Sequence, residues 1–305
     1  MAALEVDVFR SKQFVFVIGK NQAVFTIHAA IVAKQSKALD ALINGSMAEA
    51  SDGKAIFDDI EEDTFTRFCQ FAYTGDYTTP DFTHIPTIDL PNISPPVAIS
   101  YDASTMDRED DRFIEPELMP EPEPVPVPMP VPVGSLGLES TPKKAKKPKK
   151  PSKRSLLRQS LLDQLYDIET FRTNLAAQCE VRQNSDPTED YTTVFLGHAQ
   201  LYVFAEKWDI TSLKTLALFK LHKTLTSFTL YEARRPDIVE LLRYTFSNDH
   251  TPDLVDAVDD LRSLVMLYTT CEIENLIHCP EFLSLIREGG QLAQNLIQML
   301  MKRIS

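Results

Sequence analysis

The chain is short of glycine, cysteine and tryptophan, with nine, four and one among its 305 residues. So few glycines leave few places where backbone amides can wrap a phosphate. No GxGxxG, Walker A, GxSxG or HExxH pattern is present. Nucleotide binding or hydrolysis of those kinds is excluded, and a non-enzymatic protein is expected. The cysteines, Cys69, Cys179, Cys271 and Cys279, form no CxxC pair. Cys271, His278 and Cys279 are metal-ligand types, but their C-x6-H-C spacing fits no standard zinc pattern and lacks a fourth ligand. Neither metal nor cofactor is expected. The opening MAALEVDVFR has no basic n-region and no apolar h-region. No apolar run approaches the roughly 20 residues that cross a bilayer. The expectation is an intracellular chain, in nucleus or cytoplasm, with reduced thiols and no membrane partner.

Positive charge is also scarce: 31 Lys and Arg against 44 Asp and Glu give a net charge of −13. The exception is local. Lys143, Lys144, Lys146, Lys147, Lys149, Lys150, Lys153 and Arg154 lie together with no acid among them. Removing those eight charges leaves the rest of the chain near −21. Closely spaced cations on an extended chain suit the acidic groove of an import receptor, so these eight residues are the candidate nuclear-import signal. A solubilising tract, or one drawn to the acids upstream, is the plainer alternative. No aromatic residue is interleaved, which leaves bases no stacking platform. A specific nucleic-acid partner is not expected.

Proline is abundant in one place, with sixteen of its twenty residues between Pro80 and Pro151. Val125 to Pro132 alternates apolar residues with proline, a pattern that stays extended as polyproline II and closes no core. The run lacks the arginine that polyproline-reading domains often use, so a stiff spacer is the expectation. Residues 80–154 are read as one long disordered insertion.

On either side the patterns change. Phe14 to Ile18 is apolar at both parities, which suits a strand covered on each side. Gly19 to Gln22 is a turn and Ala23 to Ile27 returns, giving a hairpin. His28 to Lys34 reads as a helix. Ser36 caps a second, with Leu39, Leu42 and Ile43 inside and Gly45 as its C′ glycine. Ala55 to Phe57 is a third strand. Phe65, Phe68, Cys69 and Ala72 then mark a buried helical face that ends at Gly75. Order resumes near Ser155 with the stripe Leu157, Leu161, Leu165 and Ile168. Two helices follow, one with Leu201, Phe204, Ala205 and Trp208 inside. The other, capped by Thr211, carries Leu213, Leu216, Ala217 and Leu221. Pro236 opens one more helix and Thr251-Pro252-Asp253 another, and a last helical region from Leu276 to Ile304 breaks at Gly289-Gly290.

These segments resemble the BTB/POZ family, especially its fungal branch. His28 to Ser36 is similar to the family's HxxxLxxxS line, with Val32 in the leucine place. Asn44 to Ala50 looks like its "nG.f.Es" segment, and Phe65 with Tyr73-Thr74-Gly75-Asp76-Tyr77 like its "F…l.yiYTG.y" helix end. His198 to Trp208 resembles "vY.lAdkY", and Leu213 with Ala217 fits "Lk.lA". The resemblance implies an α+β fold, a small sheet capped by helical hairpins, split by the insertion and followed by an α-helical C-terminal extension. The parts would be 1–79, the insertion 80–154, a helical segment 155–187, the returning helices 188–230 and the extension 231–305. It also implies dimerisation and recruitment of protein partners. One departure concerns the Ser-Asp that often enters the family's first strand, whose aspartate helps shape the dimer's charged pocket. The corresponding residues here are Lys12-Gln13, so dimerisation by that route is not carried over.

In family members that act as adaptors for cullin-based ubiquitin ligases, a hydrophobic-x-Glu element after the second helix contacts the cullin. Met47-Ala48-Glu49 matches it, and an ordinary surface loop matches it equally well. The expected function is thus a scaffold or adaptor binding protein partners, with self-association or a cullin among them. A substrate adaptor of a cullin ubiquitin ligase and a nuclear transcription-associated cofactor are the alternatives.

Overall fold

A computed structural model describes residues 6–86, 153–164, 166, 182–251 and 258–304. The fold is mixed α+β. After a short helix α1 (Val6–Arg10), strands β1 (Gln13–Ile18) and β2 (Ala23–His28) form an antiparallel hairpin. Helices α2 (Ala29–Ala33), α3 (Lys37–Asn44) and α4 (Ala48–Asp52) follow, and β3 (Lys54–Phe57) then returns parallel to β1. The sheet order is β2-β1-β3, so the hairpin's first strand lies in the middle. Helix α5 (Glu62–Thr74) crosses its inner side, and β4 (Thr83–His84) lies within the stretch 80–154 read as disordered; residues 80–86 are instead held in place because β4 pairs antiparallel with residues 189–190.

Beyond the insertion come α6 (Lys153–Leu162) and β5 (Glu189–Asp190), then α7 (Thr192–Lys207), α8 (Thr211–Ser227) and α9 (Arg235–Thr245). Helices α10 (Asp260–Cys271), α11 (Ile273–Leu276), α12 (Pro280–Arg287) and α13 (Gly290–Ile304) complete the described chain. Residues 6–86 and the described residues from 153 onward form one compact unit with a common core. Among the described residues no helix is long and apolar enough to cross a membrane.

The core begins at the sheet's inner face. Phe14, Phe16, Ile18 and Ala55 are buried there, as alternation along a strand dictates. Phe65 of α5 reaches the Phe16 and Phe25 rings at 5.1 Å each, and Phe204 of α7 at 6.3 Å. Phe68 meets Phe204 at 4.9 Å, and Phe57 stacks on Trp208 at 4.8 Å. Tilted and edge-on rings at such distances contribute about 0.5–1.5 kcal/mol per pair beyond their burial. These aromatic residues join the sheet to helices that lie more than a hundred residues later in the chain.

Several elements differ from the sequence reading. Strand β1 is covered as expected, with Val17 buried and Val15 half-buried on its outward side, but the flanking strands are not: Val24 and Ile56 are 68% and 65% exposed. The apolar residues at both parities hold for this central strand, while the outward residues of its two edge neighbours are left open. Gly45 is not a left-handed C′ glycine. Its φ is −75°, and a Cβ there would stand 2.2 Å from the Ala41 carbonyl oxygen, so close approach demands glycine. Left-handed caps are found at Gly53, whose φ of 64° ends α4, and at Gly75, whose φ of 81° ends α5.

Thr211 does not cap α8. Buried Ile210 occupies that place, following Asp209 at φ 52°, and Thr211 is the first helical residue. Helices α7 and α8 bury more than one stripe each, including His198, Lys220 and His222, because α7 is surrounded by α5, α8 and α9. The helix proposed from Pro252, most of the insertion and the stretch 167–181 lie outside the described residues. The next helix, α10, starts at Asp260, where the Asp259 carboxylate accepts the Arg262 amide at 3.0 Å.

Candidate interaction surface

His28 sits at the junction of β2 and α2, and its Nδ1 is 2.9 Å from the Tyr73 hydroxyl at the end of α5. The same hydroxyl accepts the His28 backbone N–H at 3.3 Å. A second histidine–tyrosine pair joins the chain across the insertion: Tyr77 Oη lies 2.7 Å from His198 Nδ1 on α7. Beside it the Lys220 ammonium donates to the Tyr77 carbonyl at 2.6 Å, pairs with Asp76 at 2.6 Å and lies 4.2 Å from the centre of the Tyr77 ring. Buried charge is costly unless paired in this way. Burial, then the nearby Lys220 charge, holds the His198 pKa down at about 3, so the ring is neutral.

The other perturbed groups follow the same logic. Burial, with Asp190 nearby, raises Asp237 to about 7, while its carboxylate accepts the Tyr191 amide at the start of α7 at 2.9 Å. Burial raises the Cys69 thiol to about 12. Cys279 donates to Glu281 at 3.0 Å and is likewise held protonated. Thiols in that state are poor nucleophiles. These polar groups are spent on holding helices in place, and among the described residues no three His, Cys, Asp or Glu side chains converge as a metal site. A cleft lies between Pro80, Phe82, Arg182, Tyr191, Val194 and Thr224. Its guanidinium is already engaged, 4.1 Å from the centre of the Phe82 ring and 2.9 Å from Glu189.

The surface is more informative. Met47 precedes α4 and is 56% exposed, Ala48 is exposed beside it, and Glu49 lies in the first turn of α4, half-buried. The three therefore form an accessible apolar–acidic step between α3 and β3. Lys143, Lys144, Lys146, Lys147, Lys149 and Lys150 lie outside the described residues, whereas Lys153 and Arg154 open α6. Lys12 donates to the Ile43 carbonyl at 3.2 Å near the end of α3, a place that favours a cation.

One surface escaped the sequence reading. Strand register sets Val24, Val17 and Ile56 side by side in one row across all three strands, on the sheet's outer face. The neighbouring row is Thr26, Val15 and Lys54. The apolar residues at both parities of β1 were the available signal, but nothing in them told that its edge neighbours Val24 and Ile56 would stay exposed beside a buried Val17. The chain matches no protein-family model and no curated protein sequence.

Proposed function

We propose that this protein is a non-enzymatic scaffold or adaptor that works through a BTB-like domain. One observation carries the reading: the separate segments that resemble the family meet around one core. His28 touches Tyr73, Phe57 and Phe65 touch Trp208 and Phe204, and Tyr77 touches His198. A three-stranded sheet with packed helical pairs α2–α3 and α7–α8 agrees with the fold that the resemblance implies. The chemistry agrees too, since the perturbed groups lie in packing contacts and exposed apolar side chains supply surfaces for partners. Quantitative affinity capture of the whole chain, with a urea-unfolded sample of the same chain as control, is the test. One or a few stoichiometric proteins, lost in the control, are expected; capture of none contradicts the reading.

A second reading, substrate adaptor of a cullin ubiquitin ligase, is favoured by the exposure of Met47 beside Glu49. Burying such a methionine contributes about 1.5–3 kcal/mol, and the carboxylate adds a charge-assisted contact. Met47→Ala combined with Glu49→Ala is expected to abolish cullin pull-down. Unchanged capture excludes this route and leaves the scaffold reading standing.

A further inference from the structure

The cleft beside β4 and β5 has walls of Pro80, Phe82, Tyr191 and Val194, and two residues of opposite charge, Asp81 and Arg182, share its lining. Its volume is about 190 Å³. A drug-sized ligand needs roughly 300–1,000 Å³, whereas roughly 150 Å³ is enough for benzene. The space therefore suits a molecule about the size of one large side chain. Apolar walls with a few converging polar groups are the usual make-up of a ligand site.

The two charges do not pair with each other. The Arg182 guanidinium lies 4.1 Å from the centre of the Phe82 ring, which stacks on Tyr191 at 5.5 Å, and its Nη2 donates to Glu189 at 2.9 Å. Buried Glu189 is itself fixed by the Ser185 amide at 3.0 Å and the Ser185 hydroxyl at 3.1 Å. The guanidinium is thus steadied through one nitrogen and one face, while its Nε and Nη1 have no partner among the described residues. Asp81 is held by its backbone, whose carbonyl accepts from the Thr193 hydroxyl at 2.7 Å. Its carboxylate is exposed and also has no partner among the described residues. Opposite charges that line one small cleft and leave each other free are complementary to a molecule that carries both. A carboxylate suits the open part of the arginine fork, and an ammonium suits the aspartate.

We propose that this cleft binds a free α-amino acid with an apolar side chain. Its carboxylate meets Arg182, its ammonium meets Asp81, and its side chain lies against Pro80 and Val194, out of water. Asp81 and Phe82 precede the insertion in the chain, whereas Arg182, Tyr191 and Val194 follow it. The bound molecule therefore bridges the two stretches and stabilises the folded chain by mass action. The inference rests on the lining of the cleft and stands apart from the adaptor reading.

The experiment is isothermal titration calorimetry of the whole chain with L-leucine and with L-phenylalanine, with the melting temperature followed in parallel. Saturable binding of at least one of them, with a raised melting temperature, is expected. N-acetylleucine lacks the ammonium and leucinamide lacks the carboxylate, so each should bind roughly tenfold more weakly than leucine. Asp81→Asn should weaken leucine by a similar factor while leaving N-acetylleucine unchanged. Arg182→Gln should weaken leucine and leave leucinamide unchanged. The Asp81 carboxylate is exposed and unpartnered, so Asp81→Asn should melt like the wild-type chain when no ligand is present, which separates lost binding from lost folding. Absence of saturable heat with both amino acids at millimolar concentration overturns the proposal. N-acetylleucine that binds as tightly as leucine overturns it too, because the cleft would then take any apolar acid, the last residue of a peptide included. Asp81→Asn that binds leucine like the wild-type chain has the same force. None of these results bears on capture of other proteins, which tests the adaptor reading separately.

Discussion

The seam between the two stretches of chain and the outer face of the sheet are both rich in apolar residues, yet they differ in kind. At the seam, rings from β1, β3 and α5 interlock with Phe204 and Trp208, and the polar groups there, Tyr77, His198, Lys220 and Asp76, are tied to one another. On the outer face, Val24 and Ile56 stand open on either side of a buried Val17, next to an exposed Lys54. Both are served by alternating residues of the same three strands. The lesson is that hydrophobicity alone does not distinguish a core from an exposed face; the density and pairing of the neighbours does.

The comparison is broken most severely at the ring cluster. Phe65→Ala removes a fully buried ring that touches five others, and should cost about 3–5 kcal/mol in urea denaturation. Gly197 comes next. A Cβ at this position would stand 2.5 Å from the Pro80 ring, so Gly197→Ala should cost about 1–3 kcal/mol by overpacking. Adding Pro80→Ala should recover part of that loss, and strict additivity in the double-mutant cycle would show that the two residues do not clash.

His198→Gln should cost about 1 kcal/mol at neutral pH, through a poorer partner for Tyr77. Its larger effect is on pH dependence. The folded-state pKa of about 3 lies below the ordinary 6.5, so the stabilisation by the neutral ring is full above about 6.5 and is lost as pH falls toward 3. The wild-type chain should lose stability across that window more steeply than the glutamine variant, and equal slopes would sink the assignment. Least affected should be Ile56→Ala, within about 0.5 kcal/mol by the same denaturation assay. A loss near that of Phe65→Ala would mean that the outer face is covered after all.

Much of the local structure was legible. The turn at Gly19 to Gln22, the cap at Ser36, the stripe of α5 and the break at Gly289-Gly290 rest on short-range rules, and each element lies where those rules put it. The misreadings have a common cause. Gly45 is dictated by the Ala41 carbonyl, Ile210 displaces Thr211 from the cap because it is pulled into the core, and His198 and Lys220 are buried because three other helices enclose α7 and their partners sit across the insertion. Of the candidate surface, the Met47 step was visible as a motif, while the outer row was not, since cross-strand neighbours depend on register.

By itself the sequence determined the elements and their limits: alternation for strands, a 3.6-residue period for helices, and a proline-rich break that no packed element tolerates. Only the tertiary structure decided that β3 runs beside β1, that helices cover one side of the sheet, and that Val24, Val17 and Ile56 end in a single row. The reason is physical. Backbone preference acts over a few residues, whereas which apolar face loses its water is settled by pieces of chain that meet across long separations.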